Sequence, residues 1–319
     1  MSDPRFVGPI DRLLYLRTLP QLQGIATRDL TVLSRQAEEV VLRRGDLVLR
    51  EGHPVDRFFV IVSGRIAVFG HGHEIVSCGS GENVGIIPAL SRVEPHFEAR
   101  AATETVALAF ELDAILAALE ENFRLLQNML RNVAAYHLQI MPQIVAGSRR
   151  VPWTGEAVSL PKRSLDAVER LVLLRRGNIF RNLGLEALML MATSMRQERW
   201  TEGTEFWQPG EAADHLLVIL EGEVECRLPD GGTFEAGRGY PLGNLETLAR
   251  GERWYTPVAR TDVTTLRGNH EALFDVLEDD FDVALDFLSA VAAGAMKAVE
   301  MLAERSARGT AASMTISSP

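Results

Sequence analysis

Residues 43–68 read Arg43-Arg-Gly-Asp-Leu-Val-Leu-Arg-Glu-Gly-His-Pro-Val-Asp-Arg-Phe-Phe-Val-Ile-Val-Ser-Gly-Arg-Ile-Ala-Val. Residues 203–224 read Gly203-Thr-Glu-Phe-Trp-Gln-Pro-Gly-Glu-Ala-Ala-Asp-His-Leu-Leu-Val-Ile-Leu-Glu-Gly-Glu-Val. At an offset of 158 residues Gly45 falls on Gly203, Gly52 on Gly210, Asp56 on Asp214 and Gly64 on Gly222. The register continues without a gap to Gly85 on Gly243, Leu90 on Leu248, Ala101 on Ala259 and Leu108 on Leu266. The chain is a duplication, and a repeat missed at this stage would misplace every element named afterwards.

Within each copy the hydrophobic period changes twice. A helical stretch (Asp29 to Glu38; Leu185 to Met195) gives way to short alternating runs bounded by glycine, and these to a long helical pattern, about 112–145 and about 270–305. In the first copy the runs are 47–50, 57–62, 65–69, 97–101 and 106–110. Many short strands with glycine turns read as a small antiparallel roll. The expected class is α+β, mainly β: two tandem antiparallel β-rolls of the double-stranded β-helix, jelly-roll-like kind, each with N-terminal helices and a long C-terminal helix. The first domain is expected over 1–146 and the second over 165–319. The Gly- and Pro-containing stretch 147–164, which carries no period, is the expected linker.

Composition narrows the function classes. The 319 residues carry 33 basic and 43 acidic side chains, a net charge of −10, which disfavours a general grip on the phosphates of nucleic acid. Two cysteines, Cys78 and Cys226, cannot form a disulfide framework, and no leader opens the sequence, so a cytoplasmic location is expected. Charges or prolines cut every long apolar window, so no membrane span is expected. No nucleophile, Walker, zinc or kinase signature is present, and a non-enzyme is expected.

The long helices carry apolar seams. Leu119, Phe123, Leu126, Leu130, Val133, His137 and Ile140 step by fours and threes, and Leu277, Phe281, Leu288 and Val291 repeat the pattern 158 residues on. Equivalent stripes can pack on each other as a pseudo-twofold pair within one chain, or on a second chain as a homodimer. Size complementarity leans to the first, with His137 facing Ala295 and Ile140 facing Ala298. His137 itself reads as a polar group that fixes register.

The residues quoted above, with the entry Leu19-Pro-Gln-Leu-Gln-Gly-Ile, resemble the cyclic nucleotide-binding domain family, twice. Two tandem copies resemble the regulatory subunits of cAMP-dependent protein kinase. Each roll with its long helix also resembles the catabolite activator group, though no helix-turn-helix is seen after Glu304. The resemblance implies a phosphate-binding cassette reading roughly Gly-Glu-x-Ala-Leu-Leu-x-x-x-Pro-Arg-x-Ala-Thr-Val. In it backbone N–H groups and the arginine hold the cyclic phosphate while the glutamate accepts the ribose hydroxyl.

Both cassettes depart from that pattern. In the first, starting at Gly85, Ile86 stands at the glutamate position and Pro95 at the arginine position, with His96 one place beyond and Pro88 removing an amide. In the second, Gly243-Asn244-Leu245 leads to Arg253 at the arginine position and Thr256 at the threonine, but Asn244 replaces the glutamate. Trp254 and Tyr255 stand where small residues are usual. Arg253 is expected either to hold a phosphate or to pair with a local carboxylate, Glu246 or Glu252.

These readings give a regulatory or scaffold protein with degenerate cassettes, no cofactor and a protein partner. The alternative is a sensor whose second domain binds cAMP, cGMP or another small phosphate. A distant third is a metal- or haem-binding roll using His71 and His73, against which stands the plainer reading of a polar hairpin tip; no metal ligand set is assigned.

Overall fold

The computed structural model describes residues 8–22, 25–145, 163–176 and 184–307. The expected linker lies outside the described residues apart from its last two. In the first repeat, helices α1 (Pro9–Leu16) and α2 (Thr27–Gln36) precede strands β1 (Glu38–Leu42), β2 (Leu47–Leu49), β3 (Arg57–Ser63), β4 (Ile66–Gly70), β5 (His73–Cys78) and β6 (Asn83–Val84). A short helix α3 (Ile86–Ser91) separates these from β7 (Glu98–Ala101) and β8 (Thr105–Glu111), and α4 (Leu112–Glu121) and α5 (Phe123–Val145) follow. The second repeat runs α6 (Ala167–Arg176), α7 (Leu185–Ser194), β9 (Arg196–Trp200), β10 (His215–Glu221), β11 (Val224–Arg227), β12 (Thr233–Ala236) and β13 (Pro241–Leu242). It continues through α8 (Asn244–Ala249), β14 (Thr256–Ala259), β15 (Val263–Asn269), α9 (His270–Asp279) and α10 (Phe281–Ala307).

Each repeat forms two antiparallel sheets. Their strand orders are β1-β8-β3-β6 and β2-β7-β4-β5 in the first repeat, β13-β10-β15-β9 and β12-β11-β14 in the second. The pairing reproduces the repeat residue by residue: Val60 faces Leu108 and Val218 faces Leu266, and both ladders slip by one residue at the same place, Ile61/Ser63 and Ile219/Glu221. A bulge kept at equivalent positions bends both rolls alike. Strands β3 and β10 are buried on both faces, which is why they read as continuous apolar runs rather than alternating ones. The class is α+β as expected, although more of the described residues lie in helices than in strands.

Gly64 and Gly222 show why the repeat is carried by glycines. Both have φ +94°, and a Cβ would stand 2.4 Å from the Glu104 carbonyl oxygen at Gly64 and 2.5 Å from that of Asp262 at Gly222. Any side chain there meets both left-handed strain and a backbone clash.

The long helical patterns are each interrupted, where the seam predicts continuous helices. Asn122 and Asp280, equivalent by the repeat, take extended backbone conformations between α4 and α5 and between α9 and α10. The Asn122 Oδ1 accepts the Leu125 N–H at 3.2 Å, and the Asp280 Oδ1 accepts the Val283 N–H at 3.1 Å. These are N-caps, so the second helix of each pair starts afresh rather than continuing the first. A stepping pattern of apolar residues crosses the break unnoticed because both helices bury the same side of the chain.

The chain divides into two compact units that do not follow the ends of the repeats: residues 1–140 with 292–319 form one, residues 141–291 the other. In the first unit, the His137 imidazole on α5 lies 3.1 Å from where a Cβ on Gly294 of α10 would sit. His137 thus packs against Gly294, the chain neighbour of Ala295. Leu119, Leu126, Leu130, Val133, Leu277, Leu288 and Val291 of the expected seam are buried, while Phe123 and Phe281, each the first residue of its helix, are only partly so. Among the described residues no helix is long and apolar enough to cross a membrane.

Candidate functional site

The second cassette begins at Gly243, which adopts φ +72° and caps α8. Asn244, at the glutamate position, is partly buried as the first residue of α8, Leu245 is buried beside it, and Thr256 opens β14. Arg253 is 2% exposed, and its guanidinium does not face a carboxylate at hydrogen-bond distance. It donates instead to two backbone carbonyls, Nη1 to Gly243 at 3.2 Å and Nη2 to His215 at 2.6 Å. Its Cζ lies 4.0 Å from the centroid of the Trp207 ring, a cation–π contact in a buried setting. Neither carboxylate named from the sequence, Glu246 or Glu252, takes a hydrogen bond from Arg253; the carbonyl of His215, remote in sequence, does. Gly243 has to be glycine for this, because a Cβ would stand 2.1 Å from Arg253 Nη1.

Aromatic side chains fill the roll behind the arginine. Phe234 stacks on Trp254 at 6.0 Å and meets Tyr255 edge-on at 5.3 Å, and Trp207 meets Tyr255 at 5.9 Å. The Tyr255 hydroxyl accepts the Gly243 N–H at 3.0 Å. An amide at the head of the cassette is thus already paired within the chain. Burial lifts the Tyr255 and Tyr240 hydroxyls well above their ordinary values, so both are neutral.

Glu246 is the electrostatic surprise of this site. It is 2% exposed, its Oε1 has no hydrogen-bond partner, and burial raises its carboxyl from 4.5 to about 7 despite Arg253 nearby and a hydrogen bond with the Trp254 side chain. Burial in turn lowers the Arg253 guanidinium, which Glu246 partly offsets. Sequence reasoning met Glu246 only as a partner for Arg253; its burial depends on the aromatic wall and has no local signal.

The first cassette keeps the backbone, with Ile86 and Pro95 at the positions of Asn244 and Arg253. Gly85 takes φ +101° and α3 is buried throughout, including Ile86. Pro95, at the position of Arg253, makes the same backbone bond: its carbonyl accepts the Gly52 N–H at 2.8 Å, as the Arg253 carbonyl accepts that of Gly210 at 2.9 Å. His96 is exposed, and its backbone N–H is taken by the carboxylate of Glu300 on α10. His71 and Gly72 both have positive φ, the geometry of the two-residue turn that closes β4 on β5, and His71 and His73 are exposed there. Among the described residues no group of three potential metal ligands gathers.

A family model for the cyclic nucleotide-binding domain matches residues 39–122 and 197–280, more than half of the chain and again 158 residues apart. Among curated proteins, none matches the chain. Similar solved structures include the regulatory subunit of a cAMP-independent protein kinase A from Trypanosoma brucei (19% identity, 89% of this chain and 92% of that one, TM-score 0.34). The regulatory domain of Toxoplasma gondii protein kinase A in complex with cAMP is similar at 13% identity (86% of this chain, 96% of that one, TM-score 0.34). The N-terminal domain of a transcriptional regulator from Streptomyces coelicolor A3(2) is similar at 30% identity (38% of this chain, 87% of that one, TM-score 0.35). The chain belongs to the cyclic nucleotide-binding domain family and carries its domain twice.

Proposed function

We propose that this is a non-enzymatic regulatory or scaffold protein whose two cyclic nucleotide-binding domains have given up their usual ligand and act through contacts with another protein. The observation that carries the reading is the placement of Arg253. The arginine at the family position of the second cassette donates to the carbonyls of Gly243 and His215 and lies on Trp207, and the first cassette has Pro95 at that position. A cyclic phosphate at the second site would have to take the guanidinium away from both carbonyls and a Gly243 amide away from Tyr255. Each exchange gives up a hydrogen bond made within the chain, about 0.5–1.5 kcal/mol for a neutral pair and more for the charged guanidinium, although Thr247 still donates to both carbonyls, its N–H to Gly243 and its Oγ1 to His215.

The reading includes a cytoplasmic location, no cofactor, no nucleic acid and no membrane. The apolar seams of the long helices support their pairing, within one chain or as a homodimer. Isothermal titration of the purified chain with cAMP and with cGMP tests the proposal. No saturable heat is expected from either, and saturable heat that disappears in Arg253→Ala would replace the scaffold reading with a sensor acting through the second domain. Light scattering at two protein concentrations separates a homodimer from a monomer with paired helices.

A further inference from the structure

Two helices of the first unit each turn a mixed face to solvent. On α1, Ile10, Leu14 and Arg17 are exposed at i, i+4 and i+7, and on α2, which packs on α1, Arg28, Val32 and Arg35 are exposed at the same spacing. Ile10 and Leu14 are 73% and 56% exposed. The repeat keeps this face: 158 residues on, Val168 and Val172 of α6 are 67% and 42% exposed, and Arg175 follows them. Among the described residues no carboxylate pairs with Arg17, Arg28 or Arg35, those of α4 beside α2 included. The face is thus apolar and cationic, on a chain whose net charge is −10.

Matching chemistry lies in the second unit. Glu271, Asp275, Glu278 and Asp279 of α9 and Asp282 of α10 are exposed, and among the described residues none of them has an ion pair or a side-chain hydrogen bond. Glu271, Asp275 and Asp279 are four apart, so like charges stand one above another on the helix. Glu278 and Asp279 also end α9, where the helix dipole favours cations. The lone chain bears this repulsion without a counter-charge, and a cationic partner relieves it. Along the same helix Ala272 and Val276 are half-buried, an apolar line between the carboxylates.

We propose that the α1–α2 face of one copy docks on the acidic face of α9 in a second copy of this chain. Ile10, Leu14 and Val32 meet the Ala272 and Val276 line, and the arginines meet the carboxylates and fix register. Exposed ion pairs alone contribute little, so the apolar contact is required. The two faces differ, so the contact is heterologous, and each copy offers one of each. The inference goes beyond the scaffold reading and uses neither the cassettes nor the helix seams, so its failure leaves that reading standing.

Sedimentation velocity of the full chain tests it. At about 0.05 M salt and on the order of 0.1 mM chain, dimers or larger species are expected, with a dissociation constant at least about tenfold higher at about 0.5 M salt. Two charge-reversed variants separate the faces. Arg17→Glu/Arg28→Glu/Arg35→Glu carries two acidic faces and Asp275→Lys/Glu278→Lys/Asp279→Lys two basic ones, so each alone should be monomeric. Mixed, they should form a complex, because the reversed α1–α2 face of the first fits the reversed α9 face of the second. Leu14→Ser should weaken the wild-type association at least about tenfold by removing apolar contact. Circular dichroism checks the fold of each variant, and where a reversed variant does not fold, the wild-type salt dependence and Leu14→Ser decide alone. The proposal is overturned by a wild type that stays monomeric, by association that salt does not weaken, by undiminished self-association of a folded reversed variant or of folded Leu14→Ser, or by two folded reversed variants that do not combine.

Discussion

Arg253 lies over the face of Trp207, its Cζ 4.0 Å from the ring centroid, with its N–H groups given to the carbonyls of Gly243 and His215. The three partners come from the loop before β10, from β10 itself and from the turn into α8, so one side chain ties the cassette to the roll.

Arg253→Ala is therefore expected to act on stability first. Two hydrogen bonds from a charged donor and a buried cation–π contact, less the cost of keeping a guanidinium out of water, amount to about 3 kcal/mol. For a unit of this size that is a fall in Tm of roughly 6–12 °C. Differential scanning calorimetry with and without cAMP checks it. An unchanged Tm would show that the arginine is not a structural tie.

The helix breaks give a second expectation. Asn122→Ala and Asp280→Ala each remove an N-cap and should cost about 1 kcal/mol. Asn122 should cost more than Asp280, because its Nδ2 also donates to Asp29 of α2. Urea midpoints of the two variants test the order, and equal midpoints to the wild type would mean that the helices run on without need of caps.

These cases show what the sequence could and could not disclose. The fold was legible because its turns depend on backbone conformations that need glycine, and Gly45, Gly52, Gly64 and Gly85 recur as Gly203, Gly210, Gly222 and Gly243, all with positive φ. The departures at Ile86 and Pro95 from the resembled cassette were legible for the same reason: fixed spacing from those glycines. The destination of Arg253 was not, since the carbonyl of His215 is 38 residues away in the chain and a carbonyl has no sequence signature. The breaks at Asn122 and Asp280 were hidden by an apolar stripe that continues across them. Nor could periodicity assign the second half of α10 to the unit that contains the first roll.

Glu246 sets a pH dependence in the second unit. Its carboxyl is raised in the folded state from 4.5 to about 7, so the folded protein holds a proton that the unfolded chain has released. Stability from this group is complete below about pH 4.5 and is lost as pH rises to about 7, by about 3 kcal/mol in all. Glu246→Gln keeps the shape without the charge. Its stability relative to the wild type, from urea unfolding, should be greater at pH 8 than at pH 4.5 by about that amount. The same difference at both pH values would mean that the carboxylate is solvated.

His137 produces the opposite slope in the first unit. Both its ring nitrogens are buried without a partner against Gly294, and burial lowers its pKa from 6.5 to about 4. The unfolded chain takes up a proton below about pH 6.5 that the folded state refuses until about pH 4, so stability falls as pH drops through that window, by about 3 kcal/mol. Between about pH 4.5 and 6.5 the two groups oppose each other, and a single unfolding transition of the wild type should be nearly flat in pH from these terms. The single variants separate them. His137→Phe exchanges ring for ring, relieves two unpaired nitrogens and should leave a protein whose stability declines with rising pH, whereas Glu246→Gln should leave one whose stability climbs. If the two units unfold in separate transitions, each slope belongs to its own transition, and the His137 slope follows the one containing the first roll. Acid sensitivity in His137→Phe equal to that of the wild type would show that the imidazole is hydrated in the folded state rather than enclosed between α5 and α10.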